Sequence, residues 1–173
     1  RTSRFKTIDK KIFLIISIKL RLTKKKHKYN ISYGSVKEEI GNSKINLKSI
    51  SKAVIKIRKS KLPDTNFIGN CGSFFKNPVI NEKKYFELKN MYPSISAFKV
   101  EKNQYKVSAA WLIEYVKYKG KSIGNVGVYK NQALVLVNLG GATGKEVLYL
   151  ADKITSEVYS TFQISLQPEV EIL

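Results

Sequence analysis

Val147, Leu148, Leu150, Ala151, Ile154, Val158 and Phe162 recur at helical spacing in the stretch from Thr143 to Phe162. At 3.6 residues per turn they form one wide apolar stripe, which a helix keeps only where another layer covers it. The cover is expected just upstream. Val126 to Tyr129 and Ala133 to Asn138 are apolar runs bounded by polar turns, and they read as strands. A broad helical stripe beside short apolar strands calls for an α+β fold, with helices packed on a small sheet. The chain has 173 residues, 43% of them hydrophobic, enough for one good core or for one domain plus part of another.

The remaining elements follow from local signals. Residues 9–24 include Ile16, Ile18, Leu20 and Leu22 alternating with Ser17, Lys19 and Arg21. Period two predicts a half-buried strand that needs a sheet to join. Residues 25–35 read as a polar loop carrying Tyr29 and Tyr33. Residues 46–60 read as a helix capped by Asn46, with Ile50, Ala53, Val54 and Ile57 on one face, stopped by Leu62-Pro63-Asp64. Residues 81–91 predict a short helix with Phe86, Leu88 and Met91 as core candidates. Ser94 to Phe98 and Tyr105 to Val107 look extended. Ser108 opens a helix through Tyr118, with Trp111, Leu112 and Tyr115 facing inward and Gly120 closing it. A last strand is expected over Leu166 to Ile172. Gly140-Gly141 before the long helix could start a phosphate site, but it lacks the other residues of such motifs. A plain strand-to-helix turn is the stronger reading.

The net charge of +19 would ordinarily point to nucleic acid or an anionic membrane. Apart from Lys24-Lys25-Lys26-His27-Lys28, however, the lysines are spread over faces that read as solvated, without interleaved stacking aromatics. Compositional drift is the simpler reading. Cys71 is the single cysteine and His27 the single histidine, which leaves no disulfide framework, no Cys/His zinc site and little basis for a Ser-His-Asp triad. The apolar run Ile12 to Ile18 is too short to span a membrane. The chain begins at Arg1 rather than Met, so further sequence is expected before it.

The segment of greatest chemical interest is Asn66-Phe67-Ile68-Gly69-Asn70-Cys71-Gly72-Ser73-Phe74-Phe75-Lys76-Asn77-Pro78. Two glycines bracket a polar turn, and a serine, a lysine and an asparagine follow within a few residues. On its own it reads as a structured turn. With Lys61-Leu62-Pro63-Asp64, Ala110-Trp111-Leu112-Ile113-Glu114, Lys119-Gly120, Asn131-Gln132-Ala133-Leu134 and Leu166-Gln167-Pro168-Glu169-Val170, it resembles the C-terminal half of the UDP-N-acetylenolpyruvoylglucosamine reductase (UDP-N-acetylmuramate dehydrogenase) family. That resemblance covers nearly the whole chain.

The resemblance implies a flavoenzyme of peptidoglycan precursor synthesis, cytoplasmic, with FAD as cofactor and NADPH as co-substrate, reducing UDP-N-acetylglucosamine enolpyruvate. It implies that residues 1–60 end an FAD-binding domain and that 61–173 form the substrate-binding domain. Ser73 matches the serine that protonates the substrate, Glu169 the catalytic glutamate, and Arg1, before Thr2-Ser3-Arg4-Phe5-Lys6, the catalytic arginine. Tyr33 matches a tyrosine that closes over the substrate in the class with an extra loop, and Lys61, Asn77 and Gln132 match substrate-binding positions. Cys71 stands where a small alanine is common. Most of the flavin pocket should lie outside this chain, no nucleic acid or membrane partner is implied, and a monomer is expected. Two other readings stay open from the residues themselves: a basic nucleic-acid or ribosome-associated module, and a relic that folds without catalysing.

Overall fold

The computed structural model describes residues 3–9 and 12–172. Near the start, a 3-10 turn over Arg4–Lys6 is closed by the Arg4 carbonyl, which accepts from the N–H groups of Thr7 and Asp9. The Arg4 guanidinium pairs with the buried Asp9 carboxylate. Helices α1 (Val36–Ile40) and α2 (Leu47–Lys61) pack on each other through Val36, Ile40 and Ala53, with Ile31, Ile50 and Ile57 at the margin. Asn46 caps α2 as its sequence suggests: its Oδ1 accepts from Ser49 N–H, and the Ser49 hydroxyl oxygen accepts in return from Asn46 N–H. Val54 does not join this small core and remains 38% exposed.

The rest of the chain forms two antiparallel sheets with helices packed against them. Strands β1 (Gly69–Ser73), β2 (Val79–Asn81), helix α3 (Glu82–Met91), strands β3 (Ala97–Glu101) and β4 (Gln104–Val107), and helix α4 (Ala109–Tyr115) follow in order. Strands β5 (Ser122–Ile123), β6 (Val126–Val128) and β7 (Val135–Asn138) then lead into helix α5 (Gly144–Phe162). The larger sheet runs β1-β7-β6-β5 and the smaller β2-β4-β3. One core joins Phe74, Phe75, Leu136, Leu112, Ile113 and the stripe of α5, where Leu150, Ile154 and Val158 are completely buried. Each such side chain contributes about 1.5–3 kcal/mol of hydrophobic burial. The α+β reading therefore holds, and the stripe finds the sheet it required.

Several elements differ from the sequence reading. Residues 12–22 make no strand: Leu14 and Ile16 are 86% and 87% exposed. Alternation marks a face to bury, but a strand also needs a ladder, and no described residue supplies one. Lys10 and Lys11, at the start of that expected strand, lie outside the described residues. The C-terminal stretch makes a single bridge, Phe75 with Pro168, because the Phe74 N–H that would extend the ladder to Glu169 is given to the Leu134 carbonyl instead. Helix α4 stops at Tyr115, and Lys117, with φ at 65°, makes the left-handed turn assigned to Gly120. On α3 only Leu88 is buried, while Phe86 and Met91 face solvent. On α4, Ile113 rather than Tyr115 is the fully buried partner of Leu112.

Helix α5 begins with reciprocal caps. Thr143 Oγ1 accepts from Glu146 N–H, while one Glu146 carboxylate oxygen accepts from the Thr143 N–H and hydroxyl at 2.7 and 2.8 Å. These bonds, the backbone one first, hold the Glu146 carboxyl below the ordinary glutamate range. A carboxylate with a depressed folded-state pKa adds stability above its unfolded pKa and loses it as pH falls through the folded value. Glu146→Ala is accordingly expected to lower the urea midpoint at neutral pH. The gap to the parent should close on acidification below about pH 4; a gap independent of pH would mean that the charged carboxylate is not what Glu146 contributes.

Candidate active site

Ser73 ends β1, exposed, and the next peptide fixes its neighbourhood. The Phe74 N–H donates to the Leu134 carbonyl at 2.8 Å, and the Phe74 carbonyl accepts from the Glu169 N–H at 2.7 Å. Lys76 N–H continues the bridge to the Gln167 carbonyl at 2.8 Å. The strand end carrying Ser73 is thus held between the turn after Gln132 and the C-terminal segment of Glu169. Both aromatic rings beyond Ser73 are buried, Phe74 to 3% and Phe75 to 1% exposure, in edge contact with centroids 5.0 Å apart. They anchor the segment in the core while the serine stays accessible.

Gln132 lies in the turn joining β6 and β7. Its N–H donates to Tyr129, its carbonyl accepts from Val135 N–H at 3.0 Å, and its side-chain oxygen stands 3.4 Å from Leu134 N–H. The adjacent Asn131 reaches across the chain, donating from Nδ2 to the Ser60 carbonyl at 3.0 Å. That bond ties the turn to the end of α2, whose last residue is the exposed Lys61. A groove of 710 Å³ opens here, with Arg58, Lys59, Asp64, Asn70, Gly72 and Tyr129 among its walls. Two cations at its rim suit an anionic guest.

Asn77 has a structural task. Its Oδ1 accepts from the N–H of Ala109, the first residue of α4, at 2.9 Å, while Ser108 caps the same helix by accepting from Trp111 N–H. Tyr33 is 85% exposed in the turn ahead of α1. Arg1 lies outside the described residues. Among the described residues, no group of three or more His, Cys, Asp or Glu is placed to hold a metal. Cys71 is exposed as a residue, but partial desolvation of its sulfur pushes the thiol pKa up, so the thiolate is disfavoured and the side chain is a poor nucleophile at neutral pH. The Gly140-Gly141 turn also serves its own backbone: Asn138 Oδ1 accepts from both Gly140 N–H at 2.8 Å and Ala142 N–H at 3.1 Å.

The segments that carry Lys61, Ser73, Gln132 and Glu169 are joined by direct hydrogen bonds, while none of these four residues lines the groove itself. The sequence reading missed Asn131, whose cross-chain bond leaves no local signature, and Asn70, whose spacing two residues before Gly72 is the signal of an Asx turn.

Residues 63–173 match the family model described as UDP-N-acetylenolpyruvoylglucosamine reductase, C-terminal domain. The chain is 44% identical over 176 residues to the UDP-N-acetylenolpyruvoylglucosamine reductase of Flavobacterium johnsoniae, covering 100% of this chain and 52% of that protein. It is 43% identical to the protein of that name from Amoebophilus asiaticus and 44% identical to that from Porphyromonas gingivalis, again over 100% of the chain and 52% of each relative. The chain spans about half the length of the curated relatives it matches.

Because Ala109 is fully buried, removing its hydrogen-bond acceptor strands a donor in the core. Asn77→Ala is expected to cost about 1–3 kcal/mol in urea unfolding, and Asn77→Asp, which keeps an acceptor at the helix start, much less. Equal losses in the two variants would mean that the Ala109 bond is not what Asn77 contributes.

Proposed function

The chain belongs to the UDP-N-acetylenolpyruvoylglucosamine reductase family, and from that membership we propose that it is the substrate-binding part of an enzyme that reduces UDP-N-acetylglucosamine enolpyruvate to UDP-N-acetylmuramate in peptidoglycan precursor synthesis. The observation that carries the reading is the clamped strand end. Ser73, the Gln132 turn and the Glu169 segment are tied together by the two backbone hydrogen bonds of Phe74. The proposal divides the chain at residue 60, with 1–60 closing a flavin-binding domain and 61–173 holding substrate. It includes a cytoplasmic location and a monomer. No helix among the described residues is long and apolar enough to cross a membrane.

FAD and NADPH belong to this proposal as electron carriers. When bound, the reduced flavin supplies hydride to the terminal carbon of the enolpyruvyl ether. Of a flavin-binding domain this chain offers residues 12–22, whose apolar side chains stand exposed and build no cleft for a ring system. What this chain's residues do is receive charge and deliver a proton. As electrons move into the substrate carboxylate, an enediolate-like species forms, and Arg1 supplies a bidentate cation for it. Ser73 gives a proton to the neighbouring carbon from a strand end that the core holds in place. Glu169 positions or stabilises the reacting groups. Lys61 and Tyr33 grip the phosphates and carboxylate of the UDP-sugar, with Tyr33 exposed and therefore able to close over it. Gln132 and Asn77 complete the pocket, Asn77 through the helix start that it supports.

The basic nucleic-acid module gains no comparable support. Lys56, Lys99 and Lys119 pair with Glu39, Glu82 and Glu114, so part of the positive charge is spent within the fold.

In the full-length enzyme, Ser73→Ala should leave flavin reduction by NADPH intact and slow reoxidation by the enolpyruvyl substrate by about 10²–10⁴-fold. Stopped-flow absorbance separates the two steps, and equal slowing of both would remove Ser73 as the proton donor. The 173-residue chain by itself is expected to purify colourless. Stoichiometric flavin absorbance would contradict the proposed division of the two domains.

A further inference from the structure

We infer that Asn70 is the positioning residue that aims Ser73, by holding open a one-residue bulge in β1. The inference rests on the proposed role of Ser73 and adds to it a residue that touches no reacting atom. The register carries it. Asn70 stands opposite Val137 on β7, but Ser73 stands opposite Val135. Three steps along β1 match two along β7, so β1 carries one extra residue. Side chains alternate along a strand, and a one-residue shift moves every later one to the other face. Without the bulge Gly72 would stand opposite Val135. Ser73 would then point to the face from which Leu136 packs into the core with α5. With it, Ser73 shares the face of Val135, Val137 and Asn70, where Asn70 and Gly72 line the groove.

A bulge needs a residue that accepts the bend and a group that takes the displaced N–H. Gly72 does the first, with φ at 72° and open space around the position of a Cβ. Asn70 does the second: its Oδ1 accepts from Gly72 N–H at 3.0 Å, and its Nδ2 donates to the Ile68 carbonyl at 3.1 Å. Both polar atoms of one amide are used on the backbone to either side. Glycine permits the bend in either register; the asparagine selects one.

The test uses the full-length enzyme and stopped-flow measurement of the two half-reactions. Asn70→Ala should slow reoxidation by UDP-N-acetylglucosamine enolpyruvate roughly 10- to 100-fold at saturating substrate, as expected for a misplaced donor, while flavin reduction by NADPH stays near the parent value. Asn70→Asp keeps the acceptor for Gly72 N–H and should recover most of the rate, with Asn70→Ser between the two. If the alanine variant does not fold, the order Asp faster than Ser decides. In a Ser73→Ala background, Asn70→Ala should slow the reaction no further, because its effect runs through the lost hydroxyl. Multiplying effects in the double variant, parent-like reoxidation in Asn70→Ala, or the reverse order of Asp and Ser each overturn the inference. A parent enzyme that the enolpyruvyl substrate cannot reoxidise overturns the proposed function itself, an outcome visible before any variant is made.

Discussion

The two backbone hydrogen bonds of Phe74 are the constraint around which the rest is arranged. Its N–H donates to the Leu134 carbonyl and its carbonyl accepts from the Glu169 N–H, so one residue joins three segments that are far apart in the chain. It can do so because its side chain is buried and its neighbour Phe75 is buried too. The core immobilises the ring, the ring immobilises the peptide, and the peptide presents Ser73 at the boundary between packed interior and solvent. The stripe of α5 is what makes that core deep enough, so the apolar pattern at the end of the chain underwrites a serine in its middle.

Helical periodicity carried most of what was legible. Helices α2, α3 and α5 lie where their spacing put them, and their N-terminal residues cap as their types suggest. Strands were harder. β1 is Gly69-Asn70-Cys71-Gly72-Ser73, without a β-branched or aromatic residue, and it exists because Val135 to Asn138 offer it a ladder, not because its own residues prefer extension. The reverse held for residues 12–22, whose alternation is strong and whose partner is absent from the described residues. Pattern declares which face wants burial; pairing depends on what lies alongside. In the site, the contact between the segments of Ser73 and Glu169 is a long-range backbone event with no local trace. The same is true of the Asn77 amide oxygen, which accepts from the N–H that starts α4.

Part of the excess of lysine is taken up by contacts within the fold. Lys99, Lys106, Lys121 and Lys153 each lie over an aromatic ring of the chain itself, 5.0 to 5.8 Å from its centroid. Such contacts give a long cationic side chain somewhere to rest its charge and its methylenes at exposed sites. The tyrosines and phenylalanines that invite a stacking interpretation are in part already covered.

The described residues form two hydrophobic centres of unequal size, and Lys61 sits at the end of the helix that belongs to the smaller one. Centres of different depth open with different free energies, so hydrogen exchange in α1 and α2 would run ahead of exchange in the α5 core. The bond from Asn131 to the Ser60 carbonyl couples the two. In the proposed roles, a cation on the more loosely held unit can adjust its distance to a guest while the serine, on the deeper unit, stays fixed. Under that proposal the division of the core becomes a division of labour in time, with a yielding grip on one side and a rigid donor on the other.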